Sequence, residues 1–219
     1  MPLSEELIVG LCLNIHPVNP QARLLAQALD VLRSGGLLVY PTDTCYALGC
    51  MIDAREAQER LRRIRQLDLQ HDLSLLFSSI SQLAEYAKLD DRAFALLRRA
   101  LPGPYTFILP ATHDVPRRLA DPRKRSIGVR LPDHPLCRAL LDGLGEPLMS
   151  STLQLPGDAE ALADPERICE ELGRQVDLVL LSGPGSTLCS TVVDLLTWPP
   201  RILREGAGDP ARLGLSSAS

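Results

Sequence analysis

Residues 35–50, GGLLVYPTDTCYALGC, mark the end of a predicted strand, because an apolar run gives way there to a proline and a series of hydroxyl and acidic side chains. The run LLVY is typical of a buried strand. Pro41 has no backbone N–H to donate to a sheet, so the strand is predicted to end at Tyr40. Residues 42–44 are therefore expected in the turn beyond its carboxyl end, where open α/β sheets bind ligands.

Thr42 and Thr44 have two possible roles in this turn. Short hydroxyl groups beside exposed backbone amides can hold a carboxylate, a phosphate or an amino-acid hydroxyl at little cost in side-chain entropy. Alternatively, they form a turn in which the side chains bond only to their own backbone. The stretch alone leaves both roles open.

Apolar runs alternate with helical patterns along the chain, which is typical of an α/β fold. Strands are predicted near 5–15, 37–40, 73–77, 105–109, 126–131, 147–152, 176–181, 190–196 and 201–205. Helices are predicted after residues 20 and 53 and near 79–87, 90–101, 134–142 and 164–171. No linker or repeat interrupts this pattern, so we expect one domain, 1–208, and a C-terminal tail, 209–219, with frayed last residues.

Two helix starts are predicted from capping patterns. Asn19 and Pro20 have the residue types of an N-cap and a first helical position. Asp53, followed three residues later by Glu56, is typical of a capping box.

Composition indicates a folded protein without a membrane segment. No apolar run approaches the roughly 20 residues of a spanning helix, and the first residues lack the basic start of a signal peptide, so a cytoplasmic location is expected. The net charge is −4, but basic residues concentrate at 60–66 and 116–125. Either run can be a solvated surface or part of a local anion-binding surface.

The six cysteines are scattered, without a C-x-x-C pair or a histidine at metal-ligand spacing. The sequence therefore predicts reduced thiols rather than disulfides or a zinc site.

Further polar residues follow other predicted strands, and with the first stretch they resemble motifs of the YrdC and YciO family. The family pattern PT[DE]T-x-Y is matched by 41–46, PGP-x-T by 102–106, VR-x-P-x-HP by 129–135, ST-x-VD by 190–194, and a late arginine by Arg204. The resemblance covers nearly the whole chain, and 63–77 and 102–109 look like the YciO branch.

The resemblance implies a twisted open mixed sheet with flanking helices around a concave electropositive cleft. The best known members are threonylcarbamoyl-AMP synthases, nucleotidyltransferases that convert ATP, L-threonine and bicarbonate to threonylcarbamoyl-AMP and pyrophosphate for tRNA modification. Mg²⁺ is expected to accompany ATP. Members are also described as binding double-stranded RNA.

The resemblance also implies roles for individual residues. Its Lys-x-Arg motif falls on Arg63 and Arg65, which with Thr152 are expected to be catalytic. ATP is expected to contact Arg65, Thr106, Thr152, Gln154 and Arg204, and the amino acid to contact Thr42 or Thr44, Ser150 and Ser190. Arg130 and His134 are expected in the cleft wall, where an ion pair and a helix cap would explain them equally well.

Departures from the family pattern keep two functions open. Gln154 stands where the family has Asn, Arg63 where it has Lys, and Pro110 where a basic residue is expected. The chain is either a synthase-like enzyme or a divergent YciO-type relative that binds nucleotide, tRNA or double-stranded RNA without efficient threonylcarbamoylation. A third alternative is an α/β scaffold without a substrate. In that case the polar residues at the strand ends only stabilise the loops in which they lie.

Overall fold

A computed structural model describes residues 11–67, 73–121 and 123–215. These residues form a twisted open mixed sheet in the order β1-β8-β2-β3-β7-β4-β6-β5-β9-β10. The strands are β1 Leu11–Asn14, β2 Leu38–Tyr40, β3 Ala47–Met51, β4 Ser74–Leu76, β5 Tyr105–Pro110, β6 Ser126–Arg130, β7 Leu148–Thr152, β8 Leu178–Leu181, β9 Thr191–Asp194 and β10 Arg201–Arg204. The predicted α/β fold class is confirmed.

The helices lie where the periodicity predicts them, but two begin at other residues. They are α1 Ala22–Arg33, α2 Arg55–Arg65, α3 Ile80–Tyr86, α4 Asp91–Ala100, α5 Pro135–Leu144 and α6 Pro165–Leu172. The Asn19–Pro20 start is wrong, because His16 Nδ1 accepts the Asn19 N–H at 3.1 Å and holds that segment in a turn. The capping box at Asp53 is also wrong, since Ala54 is the N-cap and no side chain caps the helix.

Strand β3 was not predicted, and it changes the structural context of residues 41–46. It pairs antiparallel with β2, so residues 41–46 connect two neighbouring strands of a hairpin. The run ALGCM has no alternating pattern, and it includes Gly49. A Cβ at Gly49 would lie 2.7 Å from Cε1 of Tyr40, so the glycine permits close packing that the sequence pattern does not reveal.

The two faces of the sheet are covered differently. One face carries a core that includes residues of α2, α3, α4 and α6. On the other face, α1 and α5 pack over Leu38, Leu76 and Leu148, among other side chains. Because side chains alternate between faces along a strand, Ser74 and Ser150 lie on this second face, two residues from Leu76 and Leu148. The apolar cluster under α1 and α5 includes neither serine.

Two further expectations do not hold. Cys12 and Cys169 are joined by a disulfide, so the prediction of six reduced thiols is wrong for this pair, which the fold brings together across 157 residues. The first part of the predicted tail is packed: Pro210–Leu213 form a 3₁₀ helix, and Leu213 is buried in the core.

No helix in the described part of the chain is long and apolar enough to cross a membrane. The cytoplasmic location and the single domain over 1–208 stay predictions.

Candidate functional site

A cleft of about 200 Å³ opens on the second face of the sheet. Eight predicted residues line it: Arg65, Thr106, Arg130, Ser150, Thr152, Gln154, Ser190 and Arg204. The structure also places there five residues without a predicted role: Ser74, Ile108, Ser151, Val192 and Leu203. The fold thus gathers residues from distant motifs into one site.

Strand register explains this convergence. Ser74 of β4 is paired with Ser150 of β7 on one side and with Gly128 of β6 on the other. A Cβ at Gly128 would lie 2.8 Å from Ser74 Oγ, so the glycine leaves room for that hydroxyl. Ile108 of β5 is in register with Gly128, which extends the cleft floor across adjacent strands. A signal for Ser74 was its alternation with apolar neighbours in a predicted strand, but its partners were not visible.

Thr106, Ser190 and Arg204 form a connected group on one side of the cleft. The Thr106 and Ser190 hydroxyl oxygens are 2.7 Å apart. Arg204 donates from Nε and Nη2 to the Ser190 backbone carbonyl, at 3.2 and 3.0 Å. In the ranges the structure describes, Arg204 forms no salt bridge, so its positive charge is not neutralised by a carboxylate.

Arg65 brings a second positive charge from the end of α2. Its Nε atom is buried and has no hydrogen-bond partner within the described structure. Burial lowers the pKa of Arg65, while the nearby thiols of Cys189 and Cys45 act in the opposite direction. None of the described residues lining the cleft is Asp or Glu, so an anion is the complementary ligand.

Arg130 is paired instead. Its Nη2 atom donates to Asp43 Oδ1 at 2.9 Å and to Thr44 Oγ1 at 3.1 Å. Both charged side chains are 7% exposed. Asp43 Oδ2 also accepts the Asp133 N–H at 3.1 Å. Arg130 therefore forms the ion pair that the sequence allowed as an alternative to a role in the cleft wall. This ion pair anchors the 42–44 turn to β6.

Thr42 and Thr44 lie outside the lining of the main cleft. They line a second cavity of about 180 Å³, together with His134 and residues of the 182–186 segment. Thr42 Oγ1 donates to the Cys45 carbonyl at 2.7 Å and accepts the Thr44 N–H at 3.1 Å. The Thr42 side chain therefore bonds within its own turn, whereas Thr44 Oγ1 also accepts a hydrogen bond from Arg130. Neither threonine lines the cleft with Ser150 and Ser190.

His134 caps helix α5. Its Nδ1 atom accepts the Leu136 N–H at 3.2 Å, so His134 has the helix-capping role that the sequence allowed. Burial lowers the pKa of His134, against the opposing effects of Asp43 and Asp133. The neutral imidazole, unprotonated at Nδ1, is therefore the form of His134 that can accept the capping hydrogen bond.

Two residues tied to the family pattern have unexpected surroundings. Arg63 is exposed and is not part of the cleft lining, whereas Arg65, two residues on, is. Gln154 lines the cleft, but its Nε2 atom donates to the Asp158 carbonyl at 3.0 Å. Part of the Gln154 amide is therefore engaged in holding the following turn.

Comparisons with known proteins agree with this architecture. The Sua5/YciO/YrdC family model, described as "Telomere recombination", matches residues 30–206. The uncharacterized protein YciO of Escherichia coli is 47% identical over 195 residues, which cover 89% of this chain and 95% of that protein. A threonylcarbamoyl-AMP synthase of Vibrio vulnificus is 32% identical over 164 residues, covering 74% of this chain and 87% of that protein.

Solved structures give the same relationship. The E. coli YciO crystal structure matches with a TM-score of 0.90 and 45% identity, covering 93% of this chain and 99% of that chain. The P. abyssi Sua5 structure in complex with L-threonine matches with a TM-score of 0.81 and 26% identity, covering 90% of this chain and 57% of that chain. The predicted resemblance, including that to YciO, is confirmed.

Proposed function

The chain belongs to the Sua5/YciO/YrdC family, and from this premise we propose that its main cleft binds ATP and a small amino acid, L-threonine by resemblance. The proposed reaction is that of a threonylcarbamoyl-AMP synthase. A carbamate formed from threonine and bicarbonate attacks the α-phosphorus of ATP, and pyrophosphate leaves.

One observation carries the proposal: Arg65 and Arg204 both line a hydroxyl-lined cleft whose described lining includes no carboxylate. Guanidinium groups neutralise phosphate charge and donate in a geometry that suits its oxygens. The cleft, about 200 Å³, is smaller than the roughly 300–1,000 Å³ typical of drug-sized ligands, so we expect adenosine to extend beyond it.

The cleft residues would act mainly by position and charge. Arg65 and Arg204 would stabilise the charge that develops as pyrophosphate leaves, because preorganised donors cost no reorganisation during the reaction. The Thr106 and Ser190 hydroxyls, 2.7 Å apart, form one donor–acceptor pair that a phosphate oxygen can join. Ser150, held by the Tyr40 hydroxyl at 2.8 Å, would face the amino acid.

Among the described residues, no carboxylate lines the cleft to bind Mg²⁺. No group of three or more His, Cys, Asp or Glu side chains in the described ranges is placed to hold a metal. Mg²⁺ prefers carboxylate, phosphate and water oxygens, so it would enter on the nucleotide phosphates, and no residue is assigned to it.

The test is pyrophosphate release from ATP, bicarbonate and Mg²⁺, with and without L-threonine, followed by mass detection of threonylcarbamoyl-AMP. We expect threonine-dependent release that Arg65→Ala and Thr106→Ala each reduce by about 100- to 1,000-fold, the range for the loss of one transition-state donor. Undiminished release in both variants would remove this cleft from the reaction. Arg63→Ala in the same assay measures whether the exposed arginine has the catalytic role implied by the family motif.

The environments of Gln154 and Arg63 favour one alternative, a divergent relative that binds nucleotide, tRNA or double-stranded RNA without efficient turnover. The Gln154 amide is partly engaged with Asp158, and Arg63 lies outside the cleft lining. This alternative predicts ATP binding without pyrophosphate release. Its RNA affinity should fall steeply with salt, because phosphate contacts release counterions; a flat salt response would exclude RNA binding through phosphates.

A further inference from the structure

Cys45 and Cys189 are adjacent thiols beside the cleft. Their Sγ atoms are 3.4 Å apart, although the residues are 144 positions apart in sequence. Cys45 ends the 42–44 turn, and Cys189 directly precedes Ser190. Thr152 Oγ1, which lines the cleft, lies 4.0 Å from Cys45 Sγ. The pair therefore joins two segments that border the proposed site.

We propose that Cys45 and Cys189 form a redox modification site, oxidised by a hydroperoxide to an intramolecular disulfide. Cys189 is the thiol that reacts with the oxidant, and Cys45 is the thiol that resolves the product. This proposal does not depend on ATP binding or on threonylcarbamoylation.

Access and charge assign these two roles. Cys189 is partly exposed, whereas Cys45 is 2% exposed. The hydrogen bond from the Cys45 thiol lowers the pKa of Cys189 against the opposing effect of burial, and Arg204 lowers it further. The same contact and burial raise the pKa of Cys45. Since the thiolate is the nucleophile, Cys189 is the reactive member of the pair.

The chemistry balances with a hydroperoxide as the only co-reactant. The Cys189 thiolate attacks one peroxide oxygen, an S–O bond forms, the O–O bond breaks, and the departing oxygen takes a proton to leave as water or an alcohol. The Cys45 sulfur then attacks the resulting sulfenic sulfur. The S–S bond forms, and the Cys45 proton leaves with the hydroxyl group as water. The two sulfurs must approach from 3.4 Å to about 2.05 Å.

Oxidation would change the cleft directly. It removes the thiolate charge from the vicinity of Arg204, and it fixes the residue next to Ser190. The Ser190 carbonyl holds Arg204 at 3.0 Å, and the Ser190 hydroxyl contacts Thr106 at 2.7 Å. The proposed disulfide thus connects the redox state to the residues that border the anion site.

Two other thiols serve as internal controls. Cys50 and Cys137 are buried, and burial raises the pKa of Cys50 to about 12 and raises that of Cys137 as well. Neither has the low pKa or the access that Cys189 has, so both should stay reduced. Cys12 and Cys169 already form a disulfide and give a separate cross-linked peptide.

The first test treats the folded chain with hydrogen peroxide, removes the peroxide, and then unfolds the protein in denaturant with N-ethylmaleimide so that every remaining thiol is blocked. Peptides are then mapped by mass spectrometry without reduction. We expect a Cys45–Cys189 cross-link, with Cys50 and Cys137 alkylated. Chymotryptic cleavage after Tyr46 separates Cys45 from Cys50, which trypsin leaves together. Alkylated Cys45 and Cys189, or Cys189 sulfinic acid with Cys45 free, would overturn the proposal.

The second test separates the two roles with dimedone, a probe that traps sulfenic acids. In Cys45→Ser, peroxide should leave a trappable sulfenic acid at Cys189, because the resolving thiol is absent. In Cys189→Ser, a change at a partly exposed position, Cys45 should remain unlabelled. Labelling of Cys45 in Cys189→Ser would reverse the assignment and contradict it.

Discussion

Two halves of one sheet face differ in this molecule: one half is packed under helices, and the other half lines the cleft. Under α1 and α5, inward positions are leucines such as Leu76 and Leu148. Two residues away on the same strands, the corresponding positions are Ser74 and Ser150, which line the cleft. Coverage by α1 and α5, rather than a change in the sheet, therefore separates the core positions from the cleft positions on these strands. Strands β4 and β7 each carry both halves of the pattern.

The largest expected effect is at the boundary between these halves, where Arg130 is buried with Asp43. Arg130→Ala leaves the Asp43 carboxylate buried without its cation, so we expect a loss of about 3–5 kcal/mol in the free energy of unfolding. Urea unfolding measures it. Arg167→Ala is the matched control, since that arginine is 47% exposed and its pairs should contribute less than about 1 kcal/mol. Equal losses would show that the buried pair does not anchor the turn.

The core half and the site half can be compared within strand β4. Leu76→Ala removes a fully buried side chain, so we expect it to cost about 2–5 kcal/mol of stability. Ser74→Ala, on the same face, should change stability by less than about 1 kcal/mol, because its hydroxyl borders the cleft rather than the core. Equal costs in urea unfolding would contradict the division of the face.

Tyr40 connects the two halves, because its ring lies in the apolar cluster and its hydroxyl donates to Ser150 at 2.8 Å. Tyr40→Phe keeps the ring and leaves buried Ser150 without this donor, so we expect a loss of about 1–2 kcal/mol. Tyr86→Phe, at a half-buried ring, is the matched control and should have a smaller effect. No difference between the two variants in unfolding midpoint would show that the hydroxyl bond adds nothing.

The smallest effect concerns pH and the helix that covers the core half. Burial lowers the pKa of His134, so the unfolded chain binds more protons than the folded one just below the ordinary histidine pKa of about 6.5. Stability from this group is therefore complete above that pH and decreases as the pH falls through it. His134→Asn keeps a capping side chain without the titration. The wild type should lose more stability than His134→Asn between pH 7 and pH 5; parallel losses would contradict this origin.

Much of the fold was predictable because hydrophobic periodicity is local. Strand β3 was missed, since ALGCM has no alternation and its packing depends on the distant contact of Gly49 with Tyr40. The cleft residues on family motifs were placed together correctly. Sequence alone did not separate Thr42 and Thr44 from them or identify Ser74, because both depend on strand register and helix coverage.

The proposed function requires that the half of the sheet face outside the α1–α5 cluster bind a phosphate chain through Arg65 and Arg204. The most direct measurement is calorimetric titration of ATP with Mg²⁺ into the wild type, Arg65→Ala and Arg204→Ala. Arg55→Ala serves as a control, because Arg55 is exposed at the start of the same helix as Arg65. We predict binding about 10- to 100-fold weaker in each cleft variant and unchanged in the control. No detectable ATP binding to the wild type, or equal affinity in all four proteins, would exclude phosphate binding through these two arginines.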